Sequence, residues 1–157
     1  MQLAKDRQRE STEQQQVVII QKDTTDVGRQ GMPQFFGISG HSSGATGISM
    51  NLTAFGPGGS AKAHYHRNFE TAIYGVTGRI ALFYGDRLEH EVLIEPGVFC
   101  FIPPGVPHKA FNLSTTESAT AISARNDPNE QENVVLTPEL DDGRTDAIVA
   151  KRIAGNN

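Results

Sequence analysis

Residues 46–125 predict an all-β fold, a barrel or a sandwich, and three observations carry that expectation. The apolar runs are short and rich in β-branched residues, and turn signals separate them about every ten positions. No 3.6-residue periodicity runs through the segment, so amphipathic helices are not expected there. The chain also holds 16 glycines and 8 prolines in 157 residues, the supply of turn formers that many short strands require.

The elements follow in order. Residues 1–15 are polar and charged and read as a frayed tail. "VVII" (17–20) is the first β-branched run and predicts a strand. "TGISMNLTAF" (46–55) alternates apolar and polar residues, the period of a half-buried strand. In "TAIYGVTGRIALFYG" (71–85), Gly75, Gly78 and Gly85 punctuate β-rich stretches, as hairpins or bends do. "EHEVLIEPG" and "VFCFIPPGVPH" add two short strands joined by Pro-Gly turns, and "SATAISAR" (118–125) is the last clear one. Beyond it the chain turns polar and is expected to pack on the outside, with "DAIVAKRIA" as a short helix. No internal repeat is visible. The organisation is thus a tail (1–15), a barrel domain (16–126) and a C-terminal extension packed on it (127–157).

Bulk composition narrows the function classes. A formal charge of -4 and the lack of any Lys/Arg cluster argue against non-specific nucleic-acid binding. The single Cys100 cannot form an intramolecular disulfide. No run approaches the ~18 apolar residues of a membrane span, and the first residues lack an apolar leader segment, so no membrane role is expected and the cytoplasm is the default. With no tryptophan the core should be mainly aliphatic. Tyr74, Phe83, Phe99 and Phe101 are expected to fill it, with Cys100 packed alongside.

The chemistry-bearing stretch is "AHYHRNFETAIYGVTG", from Ala63. On a strand His64 and His66 point to one side and Tyr65 to the other. Alone, such a pair is either an exposed polar face or half of a metal site. Glu70 follows after "RNF", short enough to return a carboxylate beside the imidazoles. A second stretch, "GVFCFIPPGVPHKAFN" (97–112), offers Pro104-Gly105 for a tight turn and a strand that carries His108 away from it.

Together the two stretches resemble the paired signature motifs of the cupin superfamily. The first motif is met by Gly58, His64, His66, Glu70 and Gly78, with seven residues rather than six between Glu70 and Gly78. The second is met at every position by Gly97, Pro103, Gly105, His108 and Asn112. The resemblance implies a double-stranded β-helix of jelly-roll type, a β-barrel with an extended N-terminal segment and a C-terminal tail. It also implies that His64, His66, Glu70 and His108 bind one divalent transition metal. Nitrogen and oxygen donors of this kind suit Mn, Fe, Co, Ni, Cu or Zn and disfavour calcium or magnesium.

The expected activity is metal-dependent chemistry on a small oxygen-rich molecule, foremost dioxygenase chemistry of the quercetinase kind. Glu70 is the catalytic candidate. A non-redox isomerase, cyclase or lyase is the alternative, and a non-catalytic binding protein is the third. His90 is a substrate-binding or acid/base candidate if it faces the barrel mouth, and a surface residue if it faces out. Arg125 is a candidate for a substrate carboxylate or for a salt bridge to the acidic tail. His41, Lys62 and Arg67 read as solvated. A homodimer is expected, because "QQVVIIQ" is a β-prone segment able to cover an exposed sheet edge.

Overall fold

The computed structural model describes residues 16–21 and 26–155. Eleven strands are present among them: β1 (Asp26–Val27), β2 (Pro33–Ile38), β3 (Ser49–Phe55), β4 (His64–His66), β5 (Thr71–Thr77), β6 (Ile80–Tyr84), β7 (His90–Ile94), β8 (Phe99–Ile102), β9 (His108–Asn112), β10 (Ala119–Arg125) and β11 (Val134–Leu136). They form two antiparallel sheets, ordered β1-β2-β3-β10-β5-β8 and β11-β4-β9-β6-β7. From β5 to β10 the chain passes back and forth between the sheets, which is the jelly-roll path.

The all-β class agrees with the sequence, but the expected barrel does not close. Strands β1 and β8 end one sheet, and β11 and β7 end the other. The layers are instead joined by a shared interior. Met32, just before β2, with Phe55, Ile102 and Ala121 from the first sheet, packs with Ile80, Leu82, Ile94 and Ala110 from the second.

A second apolar cluster lies on the outer side of the five-stranded sheet. Ala81, Phe83 and Phe111 point away from the shared interior and pack beneath Val149 of the C-terminal helix α2 (Arg144–Gly155). This explains why "IALFY" and "HKAFN" are buried on both faces rather than alternating. It also explains a buried cation. Lys109 points outward from β9 and is held by Asp141 and Asp146, each at 2.9 Å. At the far end Arg152 grips the Glu91 carboxylate through both guanidinium nitrogens.

The six-stranded sheet has no such cover among the described residues, and three aromatic expectations fail there. Cys100 and Ile102 take the inward phase of β8, so Phe99 and Phe101 face out, 80% and 60% exposed. Tyr74 joins them, its ring centroid 4.7 Å from that of Phe99. Phe83 is buried, but under α2 and not in the shared interior. "VVII" is not a strand here: residues 17–20 pair with none of the described residues, and Val17 and Ile19 are exposed. β-propensity supplies no hydrogen-bond partner. The expected tail at 1–15 lies outside the described residues.

Two motif positions are structural. Gly78 has φ +73°, and a Cβ there would lie 2.6 Å from that of Ala119, so only glycine fits between β5 and β6. Asn112 is fully buried and acts as a staple. Its Nδ2 lies within donating distance of the carbonyls of Phe55, Gly56 and Glu117, at 3.2, 3.0 and 2.7 Å. Its Oδ1 accepts the Ser114 N–H at 3.0 Å.

Candidate metal centre

Strand β4 is only three residues long, yet two pairings fix it. Its edge toward β9 matches His64 with His108, and its other edge matches His64 with Leu136 and His66 with Val134. Alternation puts His66 on the face of His64, and register puts His108 beside both. The result is three buried imidazoles with ring centroids 4.3 to 5.3 Å apart. One nitrogen from each lies within 4.8 Å of the others.

The outer ring atoms are held in a definite way. Nδ1–H of His64 donates to the Lys62 carbonyl at 2.7 Å, and that of His108 to the Val106 carbonyl at 3.0 Å. A carbonyl can only accept, so in both rings the proton sits on Nδ1 and the Nε2 lone pair is left for a ligand. Nδ1 of His66 lies 2.8 Å from Thr71 Oγ1, while Phe69 stacks on the ring at 4.6 Å. Such outer contacts orient metal-binding histidines.

All three rings are neutral near pH 7. Burial, opposed in part by the Lys62 hydrogen bond, lowers the pKa of His64 from 6.5 to about 4. Burial and then the charges of His108, Arg125 and His64 hold His66 far below its usual range. His108 is also pushed well down, chiefly by burial and next by His64. Neutral imidazole is the form that binds a transition metal, so tautomer, charge and convergence all fit a divalent ion of the Mn-to-Zn series. A metal here would supply Lewis acidity and open positions for oxygen ligands.

The cluster lines an interior cavity of ≈ 60 Å³. Arg125 lines it too, buried on β10 opposite Thr71 and Ser49 and 5.9 Å over the Phe69 ring. The structure does not bring Glu70 into the cluster. That residue is exposed, its N–H donating to Asn126 Oδ1 at 2.8 Å and its Oε2 lying 3.4 Å from Asn126 Nδ2. His90 is exposed at the end of β7, its ring 5.2 Å from that of Tyr84, and does not line the cavity. His41 is exposed in α1 (Gly40–Ser43).

Sequence reasoning missed Phe69 and Thr71, and it missed two cavity-lining glutamines, Gln30 and Gln34. Their signal was the period-two run Gln30, Met32, Gln34, which the flanking Gly28, Gly31 and Pro33 disguise as a turn. Both are buried, and Gln30 Oε1, Gln34 Oε1 and Gln34 Nε2 have no hydrogen-bond partner among the described protein groups.

A buried trio of neutral imidazoles on two strands of a jelly roll makes a candidate metal site. Residues 51–124 match the family model described as Cupin domain. No curated protein matches it significantly. Among solved structures it resembles an oxalate oxidase in complex with glycolate (22% identity, TM-score 0.62), covering 78% of this chain and 63% of that one. The chain therefore spans less than two thirds of that oxidase. The polyketide cyclase RemF from Streptomyces resistomycificus is similar at 21% identity and TM-score 0.63, covering 78% and 85% of the two chains. A Lactobacillus farciminis oxalate decarboxylase in a formate complex shares 17% identity at TM-score 0.62, with 74% and 34% covered. At these identities the likeness is one of fold.

The buried rings make metal-free protein acid-sensitive. Below pH 6.5 the unfolded chain protonates His64 while the folded chain does not, so stability falls as pH drops from 6.5 toward about 4. His64 alone contributes on the order of 3 kcal/mol to that loss. Imidazole NMR of metal-free protein should show His64 unprotonated from pH 8 down to 5. A midpoint near 6.5 would refute the buried-neutral description.

Proposed function

We propose that the chain is a metal-dependent cupin enzyme whose His64, His66 and His108 hold one divalent transition metal. When bound, that metal would supply Lewis acidity for dioxygen chemistry on a small oxygen-rich substrate, the reaction class of quercetinase-like dioxygenases. The observation that carries this reading is the convergence of three neutral, oriented imidazoles on a cavity. The cavity of ≈ 60 Å³ is compact, which favours a small substrate. The residues bind and orient this substrate, and the apolar lining from Ile80, Leu82 and Ile94 limits water around it.

Elemental analysis should find about one metal per chain in the wild type and almost none in the His64→Ala/His66→Ala/His108→Ala variant, which still folds on its aliphatic core. Full metal retention by the His64→Ala/His66→Ala double variant would sink the ligand assignment. Oxygen uptake coupled to substrate loss supports the oxidative reading; oxygen-independent turnover, or binding without turnover, moves the protein to the isomerase or binding class.

We propose that Glu70, which contacts Asn126 in this structure, would act as the carboxylate of the centre and as the group that takes up a substrate proton. Glu70→Gln should then weaken metal binding and lower turnover by ~10²–10⁴ even at full metal occupancy. Wild-type affinity and turnover in this variant would place Glu70 outside the chemistry.

We also propose a homodimer. Exposed Phe99, Phe101 and Tyr74 lie at the β8 edge of the six-stranded sheet, and Val17 and Ile19 are exposed at the other end of the chain. Pairing the edge of one copy with the 17–20 segment of another covers both. Light scattering should give twice the chain mass of 17.0 kDa, and Phe99→Ser/Phe101→Ser should halve it. A concentration-independent monomer excludes the arrangement.

A further inference from the structure

The two glutamines that sequence reasoning missed are chemically out of place. Gln30, Met32 and Gln34 take successive inward positions, and a core built for stability alone would continue with apolar residues, as Met32 does. Gln34 is 1% exposed, and Gln30 is 5% exposed. Neither Gln34 side-chain polar atom, nor Gln30 Oε1, bonds to a described protein group. Each such group sacrifices a hydrogen bond it would make to water.

Their placement is built rather than incidental. The amides crowd over Gly28, where a Cβ would stand 2.9 Å from Gln30 Oε1 and 3.2 Å from Gln34 Cδ. The backbone returns on itself through Gly28 N–H to the Met32 carbonyl at 3.0 Å and Gly31 N–H to the Gly28 carbonyl at 2.9 Å. The Gln30 carbonyl accepts the Lys62 N–H at 2.7 Å, two residues before His64. Gln34 lies opposite Thr53, which lines the same cavity. The three histidines and Arg125 line it as well.

From this set we infer that Gln30 and Gln34 are the specificity-determining end of the cavity, and that they select a small hydroxycarboxylate over a dicarboxylate dianion. The inference rests on the metal-centre reading for what binds the rest of the molecule. An amide presents one acceptor and one donor whichever way it is turned. Its oxygen therefore needs a hydrogen from the ligand. A fully ionised dicarboxylate carries none and leaves that oxygen unpaired, whereas a hydroxyl supplies one. The carboxylate is called for by charge: a divalent metal on three neutral imidazoles stays positive, and no Asp or Glu is among the described residues that line the cavity. A hydroxyl and a carboxylate on two or three carbons also match the available space. Sites built to hydrogen-bond a hydroxyl discriminate strongly against analogues lacking it.

The test compares near-isosteres. Calorimetry on metal-loaded full-length protein should show lactate binding at least tenfold more tightly than propanoate, and glycolate more tightly than oxalate. Gln34→Met should keep about one metal per chain and keep or raise the melting temperature, because an apolar side chain replaces unpaired polar atoms. Its preference for lactate over propanoate should shrink to within about threefold. A glutamine serving only as structure would instead lose melting temperature and leave the ligand preference unmoved. Should Gln34→Met not fold, Gln30→Met reads out the same two quantities. Equal binding of lactate and propanoate by the wild type, tighter binding of oxalate than glycolate, or an unchanged preference in the variants overturns the inference. The two readings fail separately. Hydroxy-acid preference in protein that holds no metal sinks the metal centre alone, and one metal per chain without that preference sinks this inference alone.

Discussion

The register that sets His64 against His108 is the constraint on which the rest depends. It joins two strands more than forty positions apart in the chain and brings the imidazole of one within 4.3 Å of the other. β4 is too short to hold that register alone. It is fixed on its far edge by β11, and the Gly105 N–H reaches the His66 carbonyl at 2.7 Å. Below the sheet, Asp141 accepts the Ala63 N–H and pairs with Lys109, so one carboxylate ties both histidine-bearing strands from behind. The segment after β10, which reads as a polar appendage in the sequence, is thus the brace of the candidate centre.

That brace accounts for the unequal treatment of the two sheets. Covering the five-stranded sheet with α2 allows β6 and β9 to be apolar on both faces, and it lets Lys109 sit inside a charge-compensated pocket. Lys109 is buried while its carboxylate partners are partly exposed, and removing either leaves a buried charge less compensated, so the helix and the histidine strands are energetically coupled. The six-stranded sheet supplies the polar interior instead. Gln34, Thr53, Ser123 and Arg125 all take inward positions on its strands. One layer holds the candidate ligands rigidly while the other presents the groups that a substrate would meet.

The fold class and the three histidines were legible because strand alternation and fixed spacing translate directly into direction. His64 and His66 share a face on any strand, and the turn at Gly105, with φ +79°, aims β9 back along β4. Where both phases of a strand are apolar, that logic stops. "FCFI" reads as buried on either side, and only the lack of cover over the first sheet decides that Phe99 and Phe101 face out. Glu70 was inferred from its separation and from the motif resemblance, and strand logic does not set its direction; its Oε2 lies 3.4 Å from Asn126 Nδ2. The run 17–20 has strand propensity and no partner strand among the described residues.

Gln30 and Gln34 mark a different kind of illegibility. Two glutamines among Gly28, Gly31 and Pro33 carry every sequence sign of a surface turn. Their burial follows from tertiary packing, since β2 adds to β3 with Gln34 opposite Thr53 and turns the preceding residues inward. Leaving a buried polar group unsatisfied costs about 1–3 kcal/mol, a large share of the 5–15 kcal/mol that stabilises a typical domain. The three neutral histidines add a further cost at acid pH. Local rules are broken most densely around one cavity, and breaches of that kind concentrate where a protein binds or reacts. The cavity is therefore the place where the chain tolerates the most unpaired polar atoms, and those atoms are what the proposed ligand would have to satisfy.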